Sequence, residues 1–431
     1  MKSAEAREMA YVSGVALAHL TRMVRGAHAA VSSAASDAVS VLVGPLAGPG
    51  FVLADVVAGG VYAAAGLGLR AGAALAGAVA AERMRAGDDQ RRSLHDASKA
   101  PHVLAVGHAL WGEGFGGAPT LTPAMHVRRG GRAVPLTTAG VRAAYGPVTG
   151  QVAVFVHGWG ETDRCWRYAA TKREPYADRL AADLGLTPVL VRYNSGLRIS
   201  ANGRALDAVL AELVAGWPVA VDRIVLIGHS MGGLVIHSAL AQAGGAWADL
   251  VTDTVTLGTP HHGAPLARGV QRADAALATT TRGRWAADLL GTRTGGVRDL
   301  EHGNVVAADW SGRPPDGGDH RTHPAARAQV RHHAVVAVAP GFSGAFGARV
   351  GDLVVPVASA EHVEMHSVAS RFAGEQVEMV RGVTHLGLVN DERVYAALTR
   401  WLSAPCAILD GAPQPPGEAP PPCTHHDDAR S

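Results

Sequence analysis

Five near-continuous apolar runs recur through the middle of the chain, at residues 151–156, 188–193, 223–228, 252–257 and 332–338. Each is too short for a stable helix and lacks the alternation of a half-solvated strand, which is the pattern of strands covered on both faces. Between them, residues 176–184, 202–215 and 231–243 return an apolar side chain every three or four positions, as amphipathic helices do. Strands alternating with helices in this way imply crossover connections, so the predicted fold class is α/β with a mostly parallel, doubly wound sheet. Residues 377–380 and 391–402 supply a last strand and a last helix. Residues 125–128 and 133–136, around the turn Arg129-Gly130-Gly131, predict an antiparallel hairpin at the sheet edge.

Outside these runs the pattern changes. From His262 to His332 the chain is rich in Arg, Thr, Gly and Pro, and a loop of that length inside a compact domain reads as a cap inserted over a site, about 264–330. Residues 1–85 are dominated by Ala and Gly, with breaks predicted at Gly44-Pro45, Gly48-Pro49-Gly50 and Gly59-Gly60. Residues 51–69 come nearest to a membrane span, but they contain Asp55, and a carboxylate at mid-membrane costs about 2.5–3.5 kcal/mol. A helical hairpin packed on itself, on the main domain or on a lipid-like surface is the reading preferred over a true span. Residues 86–98 are charged and read as a linker or an exposed helix face. The proline-rich residues after Ser403 read as a disordered tail. The chain therefore divides into a helical leader (1–100), an α/β domain (101–403) and a tail (404–431).

Composition adds boundaries rather than chemistry. The 431 residues carry a formal charge of +2, which calls for no nucleic-acid partner. Cys165, Cys406 and Cys423 have no metal-like spacing and make no disulfide framework, a single Cys406–Cys423 bridge being left open. His425-His426-Asp427-Asp428 reads as solvated tail. Glu5, Arg7 and Glu8 lead into a mixed run without a cleavage site, so no signal peptide is read and the expected location is cytoplasmic, with membrane association through the leader as a variant. The sequence does not set the oligomeric state.

The chemistry centres on Gly228-His229-Ser230-Met231-Gly232, which follows a predicted strand and opens a predicted helix. Such a pattern arises by chance about 0.3 times in a chain this rich in glycine, so its setting matters more than its letters. Strand, sharp turn and helix make a nucleophile elbow, and small flanking residues let the turn close. A serine hydroxyl needs a base and an acid to orient that base. Asp352, on a turn expected directly after a strand, and His385, between the last strand and the last helix, follow Ser230 in the required order. The rivals are weaker: His229 is adjacent to the serine, His362 and His366 have no strand to fix them, and Glu301, Asp309 and Asp316 fall in the cap. The amides of Met231 and Trp159 are the candidate oxyanion donors. His157, Gly158 and His229 are candidate substrate contacts. No cofactor or metal is called for. Gly341-Phe342-Ser343-Gly344-Ala345 imitates half the elbow, but no helix is predicted after it and its partners would fall in the wrong order.

Four stretches together carry a family resemblance: residues 190–196 (LVRYNSG), 228–234 (GHSMGGL), 257–266 (LGTPHHGAPL) and Gly351-Asp352 through Pro356. They resemble the bacterial esterase/lipase branch of the α/β-hydrolases, whose catalytic domain is similar to triacylglycerol lipases and inositol-deacylase-like proteins. The resemblance covers about residues 150–402. It implies that Gly258–Gly263 shape the floor of the site without catalysis by His261 or His262. Family members usually place Gly after the acid, where this chain has Leu353. The implied function is cleavage of a carboxylic ester of acyl or lipid-like character through an acyl-enzyme. Thioester and lactone hydrolysis, a non-catalytic binding role, and anchoring to a membrane or granule through the leader are the alternatives.

Overall fold

The computed structural model describes residues 1–18, 21, 25, 28, 48–264, 294–313, 319–322, 324, 327–361 and 376–403. Its centre is an eight-stranded sheet: β1 (His126–Arg129), β2 (Arg132–Ala133), β3 (Gln151–Val156), β4 (Thr187–Arg192), β5 (Arg223–His229), β6 (Val251–Leu257), β7 (Arg331–Val338) and β8 (Val377–Arg381). The order is β2-β1-β4-β3-β5-β6-β7-β8. The β1–β2 and β1–β4 pairs are antiparallel and all others parallel, as predicted for a doubly wound sheet with a leading hairpin.

The helices, in chain order, are α1 (residues 3–18), α2 (Gly48–Met84), α3 (Ala100–Trp111), α4 (Thr138–Tyr145), α5 (Tyr176–Leu184), α6 (Ile199–Gly216), α7 (Met231–Gln242), α8 (Gly295–His302), α9 (Gly344–Val350), α10 (Val357–Ala360) and α11 (Glu392–Leu402). Strand side chains alternate between two cores. Val152, Val154, Val156, Ile224 and Leu226 pack with α4, α6 and α7 on one face; Ala153, Phe155, Val225 and Ile227 pack with α5 and α11 on the other. Chain direction across the sheet reverses at the centre: α5 carries β3 outward to β4, and α6 returns over β3 to β5. In an open sheet, a cleft forms at the carboxyl ends of the two strands flanking such a reversal. Those strands are β3 and β5, so the topology alone places the site after Val156 and after His229.

The leader departs from its predicted punctuation. Gly59-Gly60 does not break α2, which is continuous through it; Pro49 is tolerated because it lies in the first turn, where no amide partner is lost. Gly44-Pro45 lies outside the described residues. A β-carbon on Gly77 would stand 2.5 Å from that of Ala10, and one on Gly14 2.9 Å from that of Ala73, so α1 and α2 meet along a seam that only small residues allow. Residues 86–92 are mostly exposed, while 93–97 are packed: the His95 carbonyl accepts from Arg128 and Arg192, each at 2.9 Å, and Glu5 of α1 accepts from Leu94 at 3.0 Å.

Candidate active site

Ser230 closes β5 and precedes α7 with φ 53° and ψ −126°, a region that L residues enter at a cost of about 1–3 kcal/mol. Three hydrogen bonds hold it there: its N–H donates to the Leu257 carbonyl at 2.9 Å, and its own carbonyl accepts from Thr259 Oγ1 at 2.9 Å and from the Gly233 N–H at 3.1 Å. The glycines are needed for space. A β-carbon on Gly228 would lie 2.5 Å from the Gly233 nitrogen, and one on Gly232 would lie 2.2 Å from the Val156 carbonyl oxygen. The imitation at Ser343 is corrected in one respect: a helix, α9, does follow it. Its serine, however, has an ordinary extended backbone at φ −153° and stands exposed, so it forms no elbow.

Asp352 and His385 come together. His385 Nδ1 lies 2.6 Å from Asp352 Oδ2, while Asp352 Oδ1 accepts the N–H groups of Val354 at 3.0 Å and Val355 at 2.8 Å. The carboxylate is buried, and the imidazole remains 15% exposed. Asp352 does not directly follow a strand as expected: α9 intervenes after β7. The turn still returns to the sheet, because the Ala339 N–H at the end of β7 donates to the Gly351 carbonyl at 2.8 Å. Leu353, where the resembled family has glycine, adopts φ 83°. That is the left-handed region that favours glycine, so the turn holds a leucine in a conformation glycine adopts freely. His385 opens a short 3-10 helix, His385–Asn390, after β8.

The loop after β3 passes against Ser230, since a β-carbon on Gly158 would lie 2.9 Å from that of Ser230. Trp159 stands 38% exposed at the mouth. Met231 is the first residue of α7, where a helix leaves its amides without internal partners. The expected substrate contacts need correction. His157 is fully buried, stacked on Tyr193 at 4.3 Å, with Nδ1 2.9 Å from the Gly158 carbonyl. His229 is fully buried as well, with Nδ1 3.0 Å from Glu161 Oε2 and Nε2 3.1 Å from the His385 carbonyl. Both rings lie in the interior, and Gly158, also buried, is the one of the three whose backbone packs against the Ser230 side chain.

Glu161 was missed by sequence reasoning; the available signal was a carboxylate three residues beyond Gly158 in the same loop. Burial alone would raise its carboxyl, yet the His229 ring beside it brings it down to about 2. Of the rival acids, Asp309 is used within its own loop, accepting from Val305, Val306 and Thr322. Glu301 sits on α8, and Asp316, His362 and His366 lie outside the described residues. Among the described residues, no cluster of three or more His, Cys, Asp or Glu could hold a metal. The described part of the insertion packs on the domain: Asp299 of α8 accepts the Ile199 N–H at 2.7 Å, and Thr294 Oγ1 donates to the Ala109 carbonyl of α3 at 3.0 Å.

A central reversal between β3 and β5, with a strained serine turn at the end of β5, defines an α/β-hydrolase fold. Within it, residues 207–311 match the family model described as the PGAP1-like alpha/beta domain. Among solved structures, the chain is similar to the mature form of Bacillus licheniformis lipase BlEst2, at 20% identity and a TM-score of 0.39 over 59% of this chain and 95% of that one. It is also similar to Aspergillus fumigatus lipase B, at 13% identity and 0.38 over 67% of this chain and 58% of that one. Legionella pneumophila phospholipase PlaB matches at 17% identity and 0.32, over 55% and 52% respectively.

Proposed function

We propose that the chain is a serine hydrolase that cleaves carboxylic esters of acyl or lipid-like character. Ser230 attacks the carbonyl, His385 takes the hydroxyl proton and returns it to the leaving group, and Asp352 holds the imidazole in the tautomer that presents Nε2. The amides of Met231 and Trp159 stabilise the tetrahedral oxyanion, a contribution of about 2.7–4 kcal/mol per donor in comparable sites. Water then releases the acyl group by the same steps in reverse. The observation that carries this reading is the 2.6 Å Asp352–His385 pair at the sheet end that also bears the strained Ser230. Thioesters and lactones would use the same groups. Fluorophosphonate labelling is the test: the protein should be labelled and Ser230→Ala should not, and a mutant that still labels would remove Ser230 as nucleophile.

The leader is the proposed route to a lipid surface. Val57–Met84 is long and apolar enough to cross a membrane, and α2 meets α1 along a small-residue seam. Val61, Leu67 and Leu75 are each more than 60% exposed, and Val103, Val106 and Leu110 continue an exposed apolar face on α3. A helix apolar around most of its circumference needs a partner to cover it, and lipid is the partner its composition suits.

A further inference from the structure

Three loops meet beneath Ser230, and one buried pair touches all of them. Glu161 Oε2 accepts the Gly158 N–H at 2.7 Å and stands 3.0 Å from His229 Nδ1, while His229 Nε2 stands 3.1 Å from the His385 carbonyl oxygen. A carbonyl oxygen can only accept, so Nε2 bears a hydrogen. The Glu161 oxygen already accepts from Gly158 and is placed as a carboxylate oxygen, so Nδ1 bears one too. A ring with both hydrogens is an imidazolium.

We propose that His229 is a buried imidazolium held by Glu161, and that this pair is a positioning device fastening the oxyanion loop, the elbow and the base loop to one another. The role rests on the reading of Ser230, Asp352 and His385 as the triad. The surroundings of the pair are specific. Trp166 presents its edge to the His229 ring at 6.4 Å, and the His385 ring lies 4.7 Å away. Asp352 faces His229 from the acid turn, Cys165 and Asp163 face Glu161 and its loop, and His157 and Tyr193 close the sheet side. Asp163 is itself bound by Arg192 at 2.5 Å. Burial disfavours a charged His229, but Glu161, the His385 carbonyl and Asp352 together hold it above the usual imidazole range. The pairing also has an electrostatic purpose. An uncompensated carboxylate at Gly158 would sit one residue from the proposed Trp159 donor and oppose an oxyanion; the imidazolium cancels it.

The test uses the full chain with 15N-labelled histidine. Both ring nitrogens of His229 should report as protonated at pH 8, where ordinary histidines are neutral. Glu161→Gln, with its amide oxygen in the place of Oε2, still accepts from Gly158 and from Nδ1–H but supplies no negative charge, so the imidazolium signal should vanish without loss of fold, at the cost of the Nε2–H bond to the His385 carbonyl. Glu161→Ala should lower kcat about 100-fold, with KM changing less than threefold, as expected for misplaced reacting groups. Glu161→Gln should recover at least about tenfold of that loss. A neutral His229 in the unmodified protein at pH 7 overturns the imidazolium. An unchanged kcat in a folded Glu161→Ala overturns the positioning role, and if that variant does not fold, a Glu161→Gln that is no more active than Ser230→Ala does the same. The resonance is independent of hydrolysis, and failure of the unmodified protein to take up fluorophosphonate would count against the triad alone.

Discussion

A β-carbon on Gly258 would lie 2.8 Å from Oδ2 of Asp352, the oxygen that binds His385. The same atom would stand 3.2 Å from His385 Nδ1 and 2.8 Å from Leu388. The floor stretch inferred from Gly-Thr-Pro-His-His-Gly thus acts on the acid–base pair directly, by leaving room for it.

Gly258→Ala should therefore displace the pair and lower kcat by about 100-fold, the scale of an ångström-level misplacement. Because Gly258 also has φ 58°, the variant should unfold at lower urea as well. Steady-state kinetics beside urea titration separates the two losses; a kcat within threefold of the parent would remove this role from Gly258.

Triad members act as a unit, so their losses should not add. Ser230→Ala, His385→Ala and the double variant should show similar residual turnover. Asp352→Asn should lower kcat by about 10⁴, since an amide would favour the wrong imidazole tautomer. Turnover of a short-chain p-nitrophenyl ester measures all four.

Leu353→Gly should raise stability. Relieving a left-handed backbone at a non-glycine residue returns about 1–2 kcal/mol, against about 0.5–1 kcal/mol for the extra freedom of glycine when unfolded. Leu353 is 58% exposed, so little packing is lost. The expected gain is about 0.5–1 kcal/mol, read as a higher urea midpoint.

Glu161 and His229 give stability opposite limits in pH. The Glu161 carboxyl titrates near 2 in the folded protein and at its ordinary, higher value when unfolded, so its contribution is complete above about 4.5 and is lost as pH falls toward 2. His229 is shifted upward, so its contribution is complete below about 6.5 and fades as pH rises through its folded value. Thermal midpoints from pH 3 to pH 9 should fall at both ends, and more steeply for the parent than for Glu161→Gln.

Val61→Glu combined with Leu75→Glu changes two exposed positions of α2. Co-sedimentation with phospholipid vesicles should fall at least about fivefold, with fluorophosphonate labelling intact, because a charge in hydrocarbon costs several kcal/mol. Equal sedimentation of the variant would remove α2 from lipid binding.

The fold was legible because its strands are buried on both faces and its helices are amphipathic, so hydropathy alone located β3 and α5 to the residue. The turn at Ser230 and the meeting of Asp352 with His385 were legible from their order, although Asp352 follows α9 rather than a strand. What was not legible depends on long-range packing. Gly59-Gly60 reads as a break, but a helical glycine costs only about 1 kcal/mol and α2 runs through both residues. Leu353 reads as a defect in the acid turn, but its backbone takes the glycine conformation regardless. His157 and His229 read as exposed chemistry, yet one is covered by Tyr193 and the other is bonded to Glu161, a partner far away in sequence.

The position of Gly258 also orders events during synthesis. The elbow and the floor leave the ribosome well before Asp352 and His385, so a growing chain carries the proposed nucleophile long before the proposed base. On the proposed roles, a nascent chain stalled ahead of His385 would be inert, and the acid–base pair would form only when the last strand and the loop after it reach the space that Gly258 keeps open.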